Sequence, residues 1–292
     1  MSRLLGLASA MKQAVRRYRG FIVALAAVLF VVGLAFSIDR LELALSDIDP
    51  FYIAISALII IPVAFLYGAL NLTVMARGAG IAIPFAKAFK VSCVAQFAEF
   101  LPIPGGALVR GGAMMQHGSG ALSATTHVVV NALLWVACAA FAAAFALGWN
   151  EPVSVAIGVA GIFGVVTCTA WLAARAGIAI AIVALAMRMA GLVIAGARIF
   201  AGFLAIGVAV KYLDLYPFVF AAILGSAAAI APGGLGISEA VAAAIATLST
   251  VPPEAAFVAV ALNRLIGFGV SGVATGIIWM LARRDENSER IE

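Results

Sequence analysis

Charge is what this sequence has least of. Asp, Glu, Lys and Arg make up 11% of its 292 residues, against roughly 25% in an ordinary soluble domain. That shortage excludes a soluble enzyme, and a hydrophobic content of 65% excludes disorder. No polar stretch is long enough to fold as a second, soluble domain. Histidine and cysteine are scarce as well. His117, His127, Cys93, Cys138 and Cys168 are too few and too dispersed for a metal site. The cysteines lie in apolar segments and read as packing residues rather than a disulfide framework. Hydrolytic and nucleotide motifs are missing too: no Gly-x-Ser-x-Gly elbow, no His-Glu-x-x-His and no Walker loop. No enzymatic activity and no cofactor are expected, and any transport is expected to be gradient-driven or facilitated.

What is abundant is apolar length. A bilayer core of about 30 Å needs about 20 helical residues. Uncharged runs of that order recur at 20–38, 51–76, 118–150, 152–174, 215–238 and 265–282. Mean hydropathy is +1.17. The expected fold is an all-α integral membrane protein of about six transmembrane helices plus two re-entrant helical hairpins. Residues 1–19 form a basic cytoplasmic N-terminus, 20–282 a single membrane domain and 283–292 a cytoplasmic tail.

The +5 net charge does not point to nucleic acid, because the basic residues are spread along helix ends. It sets topology instead. Arg3, Lys12, Arg16, Arg17 and Arg19 precede the first run, which reads as an uncleaved span with its positive flank in the cytoplasm. Asp39, Glu42, Asp47 and Asp49 then lie outside, and Arg77, Lys87 and Lys90 inside. Spans are expected at 51–75, 121–148, 153–174, about 191–210 and 254–281, the last ending inside at Arg283 and Arg284. Segment 176–198 is interrupted by Arg188 and Arg198 and is rich in Gly. It reads as an amphipathic helix on the cytoplasmic surface that leads into a span.

Two stretches are not simple spans: 85–117, with Pro104-Gly105-Gly106, and 218–248, with Pro232-Gly233-Gly234 and Gly236. Pro removes a donor and Gly permits positive φ, so a straight helix does not pass through either. Non-helical backbone survives in a membrane only where protein or a wet cavity surrounds it. Re-entrant hairpins satisfy that constraint. The Pro-Gly-Gly triplets match at an offset of 128, and Val130-Asn131-Ala132-Leu133 matches Leu262-Asn263-Arg264-Leu265 at 132. By the charge-derived topology the hairpins enter from opposite sides. The chain therefore reads as an inverted repeat, with halves at about 51–148 and 191–282, and paired broken segments point to a transporter site.

Ionisable groups inside membrane segments are functional candidates by default. Glu99, Arg110, Glu239 and Arg264 flank the breaks or lie in the last span. One reading is a polar midplane cavity, where Arg110 and Arg264 attract a phosphate together with the N–H groups after each break. Glu99 or Glu239 would then be a counter-ion or proton-coupling group. The other reading is structural ion pairing, for example of Arg110 or Arg264 with Glu239. Asn131 and Asn263 form a second tier. His127, one turn before Asn131, reads as a hydrogen-bonded helix residue. Small residues at four-residue steps in the last span, including Gly272-x-x-x-Gly276, read as a packing seam.

The second break, Ala231-Pro232-Gly233-Gly234-Leu235-Gly236-Ile237-Ser238-Glu239-Ala240, resembles the signature of the lysylphosphatidylglycerol synthase transmembrane-region family. That family includes the flippase domain of the multiple peptide resistance factor. Leu101-Pro102-Ile103-Pro104-Gly105-Gly106 with Arg110 is similar to its first motif. The resemblance spans about residues 10–284. It implies a bacterial-type inner-membrane protein with two re-entrant hairpins, related to lipid flipping between leaflets; the charge pattern places both termini in the cytoplasm. It carries a role onto Pro232, Gly233, Gly234, Gly236, Glu239 and Arg264, and more loosely onto Pro104, Gly105, Gly106 and Arg110. Asn131-Ala132 stands where relatives often carry an acidic–basic pair. The expected function is lipid translocation of an amphiphile with a phosphate-bearing head group. A small-solute transporter and a non-transporting membrane partner of a lipid-biosynthesis enzyme are the alternatives. Membrane lipid is the expected partner, and homo-oligomers are compatible with the sequence.

Overall fold

The computed structural model describes residues 24–100, 104–227 and 234–289; side chains are described for the same residues except Leu45 and 284–289. Among the described residues the chain is helical throughout, with no strand. We label the helices α1 (24–40), α2 (Pro50–Gly78), α3 (Phe85–Ala98), α4 (Gly105–Gln116), α5 (Ala121–Leu147), α6 (Pro152–Ala176), α7 (Ile178–Ala205), α8 (Tyr216–Ala227), α9 (Ile237–Ala246) and α10 (Pro253–Glu289). Five of them, α2, α5, α6, α7 and α10, are long and apolar enough to cross a bilayer. Their outward side chains are what lipid requires: Leu58, Leu122 and Phe163 are each more than 70% exposed. Contiguous apolar surface of this kind is untenable in water.

Local chemistry sets the helix boundaries. The side chain of Asp49 accepts the N–H of Phe51 and caps α2, with Pro50 in its first turn. Pro62 has no N–H to offer the preceding turn, and the helix widens to a π turn over Ser56–Ile60 before resuming. Gly148 (φ +77°) ends α5 and Gly177 (φ +91°) ends α6, a conformation glycine adopts without strain. Arg283 lies over the Trp279 ring at 3.7 Å, the pairing expected of an interfacial anchor. The helix continues past it, so the first residues of the expected tail are helical to Glu289.

The largest correction concerns α7. The expected surface helix followed by a span at 191–210 is instead one continuous helix of 28 residues, Ile178–Ala205. Its arginines do not break it, because neighbouring helices supply hydrogen-bond acceptors for both. Its glycines are packing sites rather than weak points. A Cβ at Gly191 would collide with the Tyr67 hydroxyl, and one at Gly196 would fall 2.8 Å from that of Tyr212.

The core is built from small side chains. Alanines and a few large residues (Leu134, Ile199, Phe203, Phe218) fill the space among α5 to α10. Lipid offers little hydrophobic drive between helices, so close approach of small residues carries the packing. The α5–α6 contact shows how close: a Cβ on Gly161 would lie 2.6 Å from the Phe141 backbone nitrogen. Cys93, Cys138 and Cys168 are free and buried in the core, as expected of packing residues. Around this core, α3 packs on α2 and on α4, α8 on α9, and α9 on α10. Several contacts cross between the halves: α2 packs on α7, α5 on α8 and α7, and α10 on α3.

Gly161→Val should destabilise the fold by about 1–3 kcal/mol through overpacking. Gly112→Ala, with nothing within 4 Å of the added Cβ, should be neutral or stabilising by up to about 1 kcal/mol. Unfolding in mixed detergent micelles measures both.

Candidate functional site

Each Pro-Gly-Gly motif separates two short helices. The helices α3 and α4 have 14 and 12 residues, and α8 and α9 have 12 and 10. At 1.5 Å per residue none exceeds about 21 Å, too short to cross a bilayer core. At the first break, Pro104 is the N-cap of α4 and its carbonyl accepts the Leu108 N–H at 3.0 Å. Gly105 and Gly106 are buried, and only hydrogen fits in place of their side chains. A Cβ on Gly105 would collide with the Ala98 carbonyl, and one on Gly106 would lie 2.5 Å from Glu99 Cγ. The absent side chains let the two arms meet and carry Glu99 to Arg110. Arg110 Nη2 donates to Glu99 Oε1 at 2.8 Å.

At the second break, Pro232 and Gly233 lie outside the described residues. Gly234 (φ +74°) and Gly236 (φ +78°) both adopt the left-handed conformation. Glycine tolerates that turn, which delivers the chain into α9. The side chain of Glu239, in the first turn, accepts the Gly236 N–H through Oε2 at 2.8 Å. Its other oxygen accepts from Arg264 Nε at 2.7 Å. Glu239 is wholly buried and Arg264 is 8% exposed. The carboxylate thus satisfies an orphan helix donor, complements the positive end of α9 and neutralises a buried guanidinium. Ser238, also buried, donates to the Ala222 carbonyl of α8 at 3.3 Å and ties the two arms together.

The four expected charges are therefore two ion pairs. The breaks use them differently: the first pair joins the two arms of one break, whereas the second joins α9 to α10. Exposure differs as well. Glu99 is 43% and Arg110 23% exposed, against 0% and 8% for Glu239 and Arg264.

The asparagines at matching positions also separate. Asn263 Oδ1 accepts from Arg198 Nε of α7 at 3.0 Å. Arg198 lies within electrostatic reach of Glu99 and Arg264. Its Nη2 and the Phe100 ring both lie against Gly267, and Phe100 packs edge-on to Phe268. The end of α3, the middle of α10 and Arg198 thus form one neighbourhood. Asn131 instead lines a narrow pocket with Asn71 and His127, with room for about one water molecule. His127 Nδ1 donates to the Ser123 carbonyl at 2.9 Å and the ring stands edge-on to Trp171, as expected of a hydrogen-bonded helix residue.

Arg188 and Arg198 are the residues that sequence reasoning passed over. Arg188 is 5% exposed. It donates to the Tyr67 hydroxyl at 3.2 Å and to Asn71 Oδ1 at 3.1 Å, and lies over the Trp135 ring. The available signal was the length of the apolar run around them. Read as one span, that run would have marked both arginines as intramembrane charges.

No protein-family model, curated protein or solved structure matches this chain.

Breaking the inner pair by Arg264→Ala should cost about 3–5 kcal/mol, because it strands a buried carboxylate. Removing the exposed one by Glu99→Gln should cost at most about 1 kcal/mol. Equilibrium unfolding in mixed micelles distinguishes the two, and similar losses would contradict the assigned difference in burial.

Proposed function

We propose that this chain is a lipid translocase of the flippase type. It moves an amphiphile with a polar, phosphate-bearing head group between the leaflets of a bacterial-type inner membrane. In this reading α3–α4 and α8–α9 are re-entrant hairpins that enter from opposite faces, and α2–α5 and α7–α10 are the two inverted repeats. The second repeat begins at Ile178 rather than 191. Glu99, Arg110, Glu239 and Arg264 are the charges that reorganise as the repeats move past each other. The resemblance of the second break to the lysylphosphatidylglycerol synthase transmembrane-region family agrees with this assignment.

Several observations support it. The arms of each break pack on one another, and each arm is too short to span the bilayer. The last helix of each proposed repeat packs on the leading arm of the other repeat's hairpin: α10 on α3, and α5 on α8. Such reciprocal packing is what a pseudo-two-fold in the membrane plane generates.

The observation that carries the reading is the contrast between the two ion pairs. The pair at the first break is open to its surroundings, and the pair at the second is sealed. In this reading the first hairpin enters from the cytoplasm, so its more exposed pair would be the one reached from the inside. A partly exposed ion pair suits a head group whose tails stay in lipid.

The test is exchange of fluorescent phospholipid between the leaflets of proteoliposomes. Wild type should exchange faster than protein-free vesicles, with Glu239→Gln and Arg264→Ala slowed at least about tenfold. Wild-type rates equal to those of protein-free vesicles would sink the proposal.

A further inference from the structure

Four arginines lie within the body of the described residues: Arg110, Arg188, Arg198 and Arg264. Carboxylates pair with only two of them, Arg110 and Arg264. The other two sit on α7 and, among the described residues, are hydrogen-bonded only by neutral oxygens, with Glu99 within electrostatic reach of Arg198 but not in ion-pair contact. Arg198 bonds the Asn263 amide. Arg188 bonds a phenol and an amide, and its Nε is buried with no acceptor at all. An arginine does not escape by losing its proton. A buried guanidinium with no counter-charge and an unused donor is costly to maintain.

The placement of the two residues is regular. Arg188 is ten residues into α7 and Arg198 ten further, so each step is about 15 Å along the axis. Arg188 thus stands in the half of the span that follows Arg175, and Arg198 in the half toward Ala205. Asn71, which accepts from Arg188, also lines the narrow pocket, as does Ala184, one turn before Arg188 on α7. The existing partners of Arg188 are neutral. An anionic oxygen, which accepts a stronger charge-assisted bond, would displace them.

We infer that α7 carries a two-station anion track, with Arg188 and Arg198 as successive binding groups for a phosphate mono- or diester. The planar guanidinium fork matches phosphate oxygens. Arg110 and Arg264 already have Glu99 and Glu239 as counter-charges at the breaks. That the phosphate belongs to a lipid rests on the translocase reading. The anion site itself rests only on the side chains around Arg188 and Arg198.

Trp135, stacked on Arg188, provides the readout. Full-length protein in neutral detergent is titrated with short-chain phosphatidylglycerol, with uncharged diacylglycerol of the same chains and with inorganic phosphate, and tryptophan emission is followed. Phosphatidylglycerol should give a saturable change that diacylglycerol does not, and Trp135→Phe should abolish it. Arg188→Gln should weaken binding at least about tenfold, and Arg188→Lys, which keeps the charge but loses the fork, about threefold or more. Asn71→Asp keeps the fold independent of the anion by supplying Arg188 with an internal carboxylate. It should raise the melting temperature while abolishing the response. Undiminished binding by folded Arg188→Gln or by Asn71→Asp overturns the inference, as does an equal response to diacylglycerol. Inorganic phosphate binding as tightly as the lipid supports the anion site and removes the lipid assignment. Wild type that binds phosphatidylglycerol but does not exchange it supports the site and removes only the translocase.

Discussion

A break in a helix inside lipid is tolerable only if the freed backbone groups find partners, and in this chain one carboxylate organises that solution. Glu239 takes the Gly236 N–H with one oxygen and the Arg264 guanidinium with the other, at no exposure to solvent. Without it the first turn of α9 would lose an acceptor and Arg264 its counter-charge. The turn leading into α9 depends on two left-handed glycines, which leave the backbone no side chains of its own with which to seal the turn. Position, charge and backbone satisfaction therefore converge on a single residue.

The first break solves the same problem with less enclosure. Its close approach comes from Gly105 and Gly106, whose missing side chains let Glu99 stand against α4. An ion pair that is partly exposed contributes little to stability, since screening weakens the attraction and holding two long side chains costs entropy. Its value in the proposed reading is that it separates easily. The pair at the first break is partly exposed and the pair at the second is buried, and α10 on α3 and α5 on α8 place the two breaks in one packed body.

Much of this was legible in the residues. The long apolar runs, the two breaks and their four flanking charges all follow from composition and spacing, because the bilayer imposes length and polar satisfaction so severely. What escaped was partnership. Arg188 and Arg198 read as interruptions, since a charge in a lone helix is a defect, and only α2, α5 and α10 supply the Tyr67, Asn71, Trp135 and Asn263 side chains that make α7 continuous. The glycines of α7 misled for the same reason: Gly191 and Gly196 look flexible alone but seat tyrosines from other segments. The pairing of Arg110 with Glu99 and of Arg264 with Glu239 depends on which helices are neighbours, and offset matching of the halves does not specify that. Indeed the two pairings do not match at the sequence offset of the two breaks.

That asymmetry bears on how charge is distributed through the protein. Were the arginines present only to hold helices together, the economical arrangement would give each a carboxylate, because breaking or omitting one partner of a buried pair is far more costly than omitting both. The chain does this at the breaks and not on α7. There it uses oxygens that share a proton or accept one weakly, and these compensate a guanidinium only in part. Neutral support leaves the positive charge available to an incoming anion while fixing where it stands. A passive scaffold has no use for such a compromise. In the proposed reading the compromise has a use, since permanent carboxylates would compete with a phosphate and wholly unsupported arginines would be costly in the membrane.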